Sequence, residues 1–421
     1  VLAAACGGDD DDDAGETGPA DTAETADAGE TGDEIAADQQ MVDPSEEEGK
    51  PVAGGTLVMG VESEVDGLNP TNNALDGAGR QMAITVFDTL AVYDENDQPI
   101  PFLAESFTPS DDLTEWTITL RDGITFHDGT PFDAAAVEAA FRATLASPFV
   151  SLALGAILDR EDPATVEVID DTTVLVRTRV PTAHFPRVLT TQLGMIPSPT
   201  WLSAIAENQD LAQQPVGTGP FEYESRVQDD KTVVVRNDDW WGNEHFGTET
   251  YLDAIEFHPV PNTDTRTTSL TTGSFDASHT TVASSIQRVL DEEEAGNLRN
   301  LVDDTGEETM VMIATDPTAS DAAEPRPNPF QFIEARRALT LATPRQRYVT
   351  LIGLDELTEA THMFHPSQSW YVEGIEQEGD DPDAARAIVE EFCADPSTAD
   401  FCTDGKIDMQ YKHVGGSQVQ D

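Results

Sequence analysis

Basic side chains are scarce in this 421-residue chain: 22 Lys and Arg stand against 81 Asp and Glu, a formal net charge of −59 at pH 7. Only Lys50, Lys231, Lys406 and Lys412 are lysines. A field of that sign repels phosphate polyanions and anionic lipid headgroups, so no nucleic-acid partner is expected. A cationic ligand is permitted by the charge. The acidity itself reads as a solvated surface, and both a high-GC genome and salt adaptation fit the shortage of lysine. Long apolar runs are also missing, and no window reaches the roughly 20 residues of a membrane span. The chain has no Gly-x-Ser-x-Gly elbow, no His-Glu-x-x-His pair and no Gly-x-x-x-x-Gly-Lys phosphate loop. Common hydrolase, zinc-protease and nucleotide chemistries therefore lack their parts. No catalytic residue, cofactor or metal site is expected, and the chain is read as a non-enzyme. No repeat of solenoid period is visible.

There are three cysteines, Cys6, Cys393 and Cys402. Val1-Leu2-Ala3-Ala4-Ala5-Cys6 reads as the small-residue end of a signal peptide. It resembles the lipobox of bacterial lipoproteins, with Ala3 where leucine is usual, and implies lipidation at Cys6 and a membrane anchor. Residues 9–50 hold 17 acids against Lys50 alone and no aromatic. Such a stretch cannot bury enough surface to offset its ordering entropy, and like charges extend it. Residues 7–51 are therefore expected to form a disordered acidic tether, with a partner-binding acidic tail as the alternative. Cys393 and Cys402, nine positions apart, suit a local disulfide in an oxidising compartment.

Order is expected from Val52. Gly54 to Gly60 reads as a buried strand, Glu62 to Gly79 as a loop, and Gln81 to Leu90 as a helix with Met82, Val86 and Leu90 on one face. Trp116, Ile118 and Leu120 alternate with polar neighbours, as in a half-buried strand. Asp133 can cap the helix carrying Val137, Phe141, Thr144 and Leu145. Val166–Ile169 and Thr173–Arg177 suggest a hairpin across Asp170-Asp171. Thr232–Arg236 and Ala254–Pro259 read as strands, and Glu334–Leu341 and Asp383–Phe392 as amphipathic helices.

The run from Leu103-Ala104-Glu105-Ser106-Phe107 to Leu120-Arg121-Asp122-Gly123-Ile124-Thr125-Phe126-His127-Asp128-Gly129-Thr130-Pro131-Phe132 is specific. It resembles the signature of family 5 extracellular solute-binding proteins, the peptide and nickel group that serves ABC transporters. Phe107 stands where that family has tryptophan. Similar landmarks follow in order: Pro215 to Phe221, Arg236 to Gly242, Leu252 to Phe257, Thr265-Arg266, Gly273 to Asp276, and Glu334 to Leu339. After the last, the family's usual continuation is replaced by Ala342-Thr343-Pro344-Arg345.

The resemblance implies a mixed α/β, two-lobed periplasmic-binding-protein-like fold (type II, cluster C) with an extra subdomain in lobe 1 and an incomplete second lobe. It maps residues 52–90 and 190–280 to the lobe 1 core, 91–189 to the inserted subdomain and 281–421 to lobe 2. It implies an extracytoplasmic, cell-surface, monomeric component that captures oligopeptide-like ligands by lobe closure and delivers them to membrane permease subunits. Alignment offers Asn73, Ala74, Leu75, Ser278, His279 and Thr280 as ligand contacts, with Trp370 and Tyr371 from the loop His365–Tyr371. An aromatic in a large domain is more often core, and that is the alternative for each of the two. His127 and Asp128 fall in a turn that is structural in the family. Nickel or metal-complex binding, for which His362-x-x-His365 has plausible spacing, and oligosaccharide binding remain alternatives on the same fold. A secreted hydrolase is a further one.

Overall fold

Strand alternation is borne out where it is clearest. Trp116, Ile118 and Leu120 are buried on one face of a strand spanning Glu115–Leu120. The computed structural model describes residues 35–36, 51–148, 150–301, 313–316, 327–352, 359–366 and 371–409. The chain divides into two compact units, Val1–Thr280 and Thr281–Asp421.

The first unit begins with β1 (Ile35–Ala36) and β2 (Thr56–Val61). Helix α1 (Gly77–Val86) follows, then the ribbon β3 (Ala91–Tyr93) and β4 (Pro99–Pro101). Strands β5 (Ala104–Pro109) and β6 (Glu115–Leu120) precede α2 (Ala134–Ala146) and α3 (Val150–Leu154). The hairpin β7 (Val166–Asp170) and β8 (Thr173–Arg177) comes next, then α4 (Phe185–Val188) and α5 (Pro199–Glu207). The unit closes with β9 (Phe221–Val227), β10 (Lys231–Arg236), α6 (Trp241–Phe246), β11 (Ala254–Pro259), α7 (Thr263–Thr271) and β12 (Ala277–Ser278).

These strands make two five-stranded sheets. The antiparallel one has the order β1-β5-β6-β8-β7. Its core runs from Leu90 to Ile196 and includes Phe107, Trp116, Phe141 and Phe185. The other has the order β12-β2-β11-β10-β9, with β2, β11 and β12 parallel to one another. Its core takes Val61, Met82, Val86 and Phe87 together with Trp201, Val234 and Phe257.

Helix α1 sits four residues earlier than the sequence suggests. Asp76 caps it, its Oδ1 accepting from the Gly79 N–H at 2.8 Å, and Phe87 is already extended. Met82 and Val86 face one core while Leu90, past the helix end, belongs to the other. The apparent helical period thus ran across a boundary between two cores. Asp133 caps α2 as expected, accepting from the Ala136 N–H at 2.9 Å. Ile35–Ala36, within the acidic segment 7–51, pairs antiparallel with Phe107 and Ser106. The outer edge of β5 offers unpaired backbone groups that two uncharged residues can meet.

The second unit contains α8 (Ala283–Glu294), α9 (Ile333–Ala342), α10 (Arg345–Ile352), α11 (Pro382–Ala394) and the small hairpin β13 (Cys402–Thr403) and β14 (Lys406–Ile407). Helix α9 stops before Pro344, and α10 starts immediately after it, where proline is tolerated. Asp381 caps α11 from its side chain and donates its own N–H to the Leu341 carbonyl at 3.0 Å. Phe332, ahead of α9, packs edge-on against Phe392 and Phe401, ring centres 5.6 and 5.3 Å away. Cys393 and Cys402 are joined by a disulfide with Cα atoms 5.7 Å apart. Among the described residues no helix is long and apolar enough to cross a membrane.

Candidate functional site

Parallel strands send their C-terminal ends the same way, and in open α/β sheets ligands bind beyond those ends. Here β2, β11 and β12 run on into Glu62, Val260 and His279. Arg266, on α7, fastens all three. Its Nε donates to the His279 carbonyl at 3.0 Å and its Nη1 to the Val260 carbonyl at 2.6 Å. Its Nη2 donates to Glu62 Oε1 and to Thr263 Oγ1, each at 3.2 Å. The residue is 1% exposed. Burial draws its pKa down, and the neighbouring Glu62 charge opposes that. Glu62 also lies 3.8 Å from His279 Nδ1.

Space for this arrangement comes from Gly60. A Cβ there would fall 2.5 Å from the Phe275 ring and 3.2 Å from Arg266 Cγ. Asp276 locks the start of β12 to β2, donating its N–H to the Val58 carbonyl at 2.8 Å while its Oδ2 accepts from the Val58 N–H at 2.8 Å. β12 is the terminal strand of its sheet. Ser278, His279 and Thr280 are half-buried along it and just beyond it.

Asn73, Ala74 and Leu75 belong to the loop between β2 and α1. Asn73 Oδ1 accepts from the Asn69 N–H at 3.1 Å, and its carbonyl accepts from Gln192 Nε2 at 2.7 Å. The Asn73 side chain is thus engaged in holding its own loop. Ala74 is exposed, and Leu75 packs on the second core. Tyr371 lies against His362, ring centres 4.7 Å apart. His362 Nδ1 is 2.8 Å from Thr361 Oγ1; its Nε2 is buried without a hydrogen bond, the Glu376 carboxylate being 3.8 Å away. Among the described residues no three His, Cys, Asp or Glu side chains converge as a metal would require. Trp370 and Cys6 lie outside the described residues.

His127 and Asp128 form a splice. The His127 N–H donates to the Gly217 carbonyl at 2.9 Å, and its Nε2 donates to the Gly219 carbonyl at 3.0 Å. A carbonyl only accepts, so the proton is on Nε2 and Nδ1 faces the Gly217 N–H at 3.4 Å. Burial holds the His127 pKa below its ordinary value. Asp128 Oδ2 accepts from Ser198 Oγ at 2.6 Å and Oδ1 from the Thr130 N–H at 2.9 Å. Burial pushes this carboxyl up, but the bonds from Ser198 and Thr130 outweigh it and hold the pKa low. Apart from the Thr130 bond, which shapes the turn itself, these bonds join the turn to the 198 and 217–219 segments.

Sequence reasoning missed Glu62 and the clamp role of Arg266. The Thr265-Arg266 pair was visible as a landmark, but nothing local ties it to Glu62, 204 positions away.

Residues 98–414 match the model of bacterial extracellular solute-binding proteins, family 5 middle. The chain belongs to this family. Glutathione-binding protein GsiB of Salmonella paratyphi A is 33% identical over 223 residues, 53% of this chain and 41% of that protein. The chain thus spans about two-fifths of the length of such curated relatives. Among solved structures it resembles the ABC transporter-associated periplasmic binding protein DppA from Helicobacter pylori in complex with peptide STSA. The TM-score is 0.62 at 22% identity, covering 81% of this chain and 66% of that one. The oligopeptide-binding protein AppA from Bacillus subtilis, in complex with a nonapeptide, gives 0.61 at 22%, covering 85% and 68%. The fold is the mixed α/β fold of this family's periplasmic binding proteins. Its relatives are binding proteins, and family members work outside the cytoplasm.

Proposed function

We propose that this chain is the ligand-capturing body of a cell-surface ABC importer component, taking extended, peptide-like ligands and handing them to membrane permease subunits. The observation that carries this is the sheet edge at β12, whose exit is held in register with Glu62 and Val260 by Arg266. An edge strand pairs with an extended backbone through main-chain hydrogen bonds, which gives affinity with little dependence on side chains. Ser278, His279 and Thr280 supply that edge. Asn73, Ala74, Leu75, Trp370 and Tyr371 are proposed as further ligand contacts. On this reading 52–90 with 190–280 is the lobe 1 core, 91–189 an inserted subdomain and 281–421 part of lobe 2. Cys6 carries the lipid anchor, the acidic segment after it acts as the tether, and the protein works as a monomer without cofactor. The peptide-bound and glutathione-binding relatives support a peptide-like ligand.

Native mass spectrometry of the full-length protein, purified without ligand-stripping steps, tests this. A co-purified peptide released on denaturation is the expected result. A bound metal chelate or sugar would replace the peptide assignment, and turnover of an ester or peptide panel would overturn the binding-protein reading.

A further inference from the structure

Asp88 lies between α1 and β3 and is 5% exposed. Three donors from distant segments converge on its Oδ2. Trp241 Nε1 donates at 2.7 Å, Thr218 Oγ1 at 3.1 Å and Trp240 Nε1 at 3.2 Å. The turn that carries Thr218 is pressed against α1. The Gly219 N–H donates to the Val86 carbonyl at 2.9 Å, and a Cβ on Gly217 would fall 2.1 Å from that oxygen. Phe87 on one side of Asp88 belongs to one core, and Leu90 on the other side belongs to the second. One carboxyl group therefore sits on the seam between both cores, where α1, the 217–219 turn and α6 meet.

Every one of these donors is neutral, so the buried acid has no counter-charge among them. The titratable groups of the surrounding elements stand one layer out. Arg121 lies over the Trp241 ring at 5.7 Å, donates to the Phe102 carbonyl and feels Glu105. His245 packs on Trp241 at 5.6 Å, its pKa held down by burial and then by Arg121. His127 reaches the far side of the turn at Gly219, with Glu222 and Asp128 acting on it.

We propose that Asp88 is a proton-responsive latch, whose carboxyl group sets how firmly the Trp240–Trp241 pair and the 217–219 turn are held to the end of α1. An ionised carboxyl buried without a counter-charge is costly. Burial pushes Asp88 up to about 7, against the pull of the bonds from Trp241, Trp240 and Thr218. Because donors crowd Oδ2, an incoming proton goes to Oδ1. Oδ2 then becomes a neutral carbonyl, and its three bonds lose about half their strength. The local grip therefore tightens as pH rises through neutrality.

Global stability moves the other way. The folded pKa lies above the unfolded one, so this contribution is complete below the unfolded value and is lost as pH rises through about 7. His127 has the opposite sign: its pKa is depressed by burial, and its contribution is lost as pH falls below the ordinary histidine value.

The test is a pH titration of the indole N–H resonances of the full chain labelled with 15N-tryptophan, from about pH 5.5 to about pH 8.5. Trp240→Phe and Trp241→Phe assign two of the five tryptophans. Both resonances are expected to move downfield together with one midpoint near 7, and to stand still in Asp88→Asn. If that variant does not fold, His245→Gln takes its place, and the two resonances are expected to titrate in it as in the parent. A static pair in the parent chain, movement persisting in folded Asp88→Asn, or movement abolished by His245→Gln would each overturn the proposal.

Discussion

Arg266 is buried and charged at once, and it is satisfied only because four acceptors surround it. Arg266→Met would remove the donor shared by Glu62 and the Val260 and His279 carbonyls. Removing one partner of such a group costs more than the bonds were worth, because the half-buried acceptors that remain lose their partner inside the fold. A loss of about 2–4 kcal/mol is expected in urea unfolding, with Arg266→Lys recovering part of it, since an ammonium cannot span the same fork. A loss below about 0.5 kcal/mol, the range of an ordinary surface substitution, would mean the clamp is idle. Little of this was legible beforehand. Arg266 and Asp88 occur in recognisable stretches, but what each holds is set by residues from far along the chain. Asp88 by its position looks like one more polar residue on a helix, but the helix ends at Val86, two positions before it, and Asp88 is buried.

Elements were more legible than the side chains that join them. β6, β11 and the β7–β8 hairpin follow from alternation and turn residues, because each has one face in a core and one toward solvent. α1 was displaced because Leu90, though apolar and in phase, serves a different core. The pairing of Cys393 with Cys402 ties the C-terminal end of α11 to the β13–β14 hairpin, and Phe392 and Phe401 flank it. Its short loop is worth about 2–3 kcal/mol in the chain-entropy model. Replacing both cysteines by serine is therefore expected to lower the protection of α11 and α9 in hydrogen exchange while leaving β6 and β11 unchanged. Equal loss in both units would show that the bridge is not a local brace.

At the scale of the whole molecule, charge dominates. A net charge of −59 makes the compact state repel itself, and salt relieves that repulsion. Calorimetry in sodium chloride from about 0.05 M to about 1 M, which shortens the Debye length from above 10 Å to about 3 Å, should show Tm rising. A flat or falling Tm would mean that the acids are already balanced within the fold.

The strand order of the parallel sheet has one more consequence. β2 lies between β11 and β12, yet it precedes residue 98, where the match to the family model begins. A protein trimmed to the matched segment would keep both neighbours and lose the strand between them. Neighbouring strands are spaced about 4.8 Å apart, so β11 and β12 would face each other across a slot of roughly 10 Å, too wide for any hydrogen bond. The segment matched by the family model is therefore not a self-sufficient part, because its keystone comes from the stretch that precedes it.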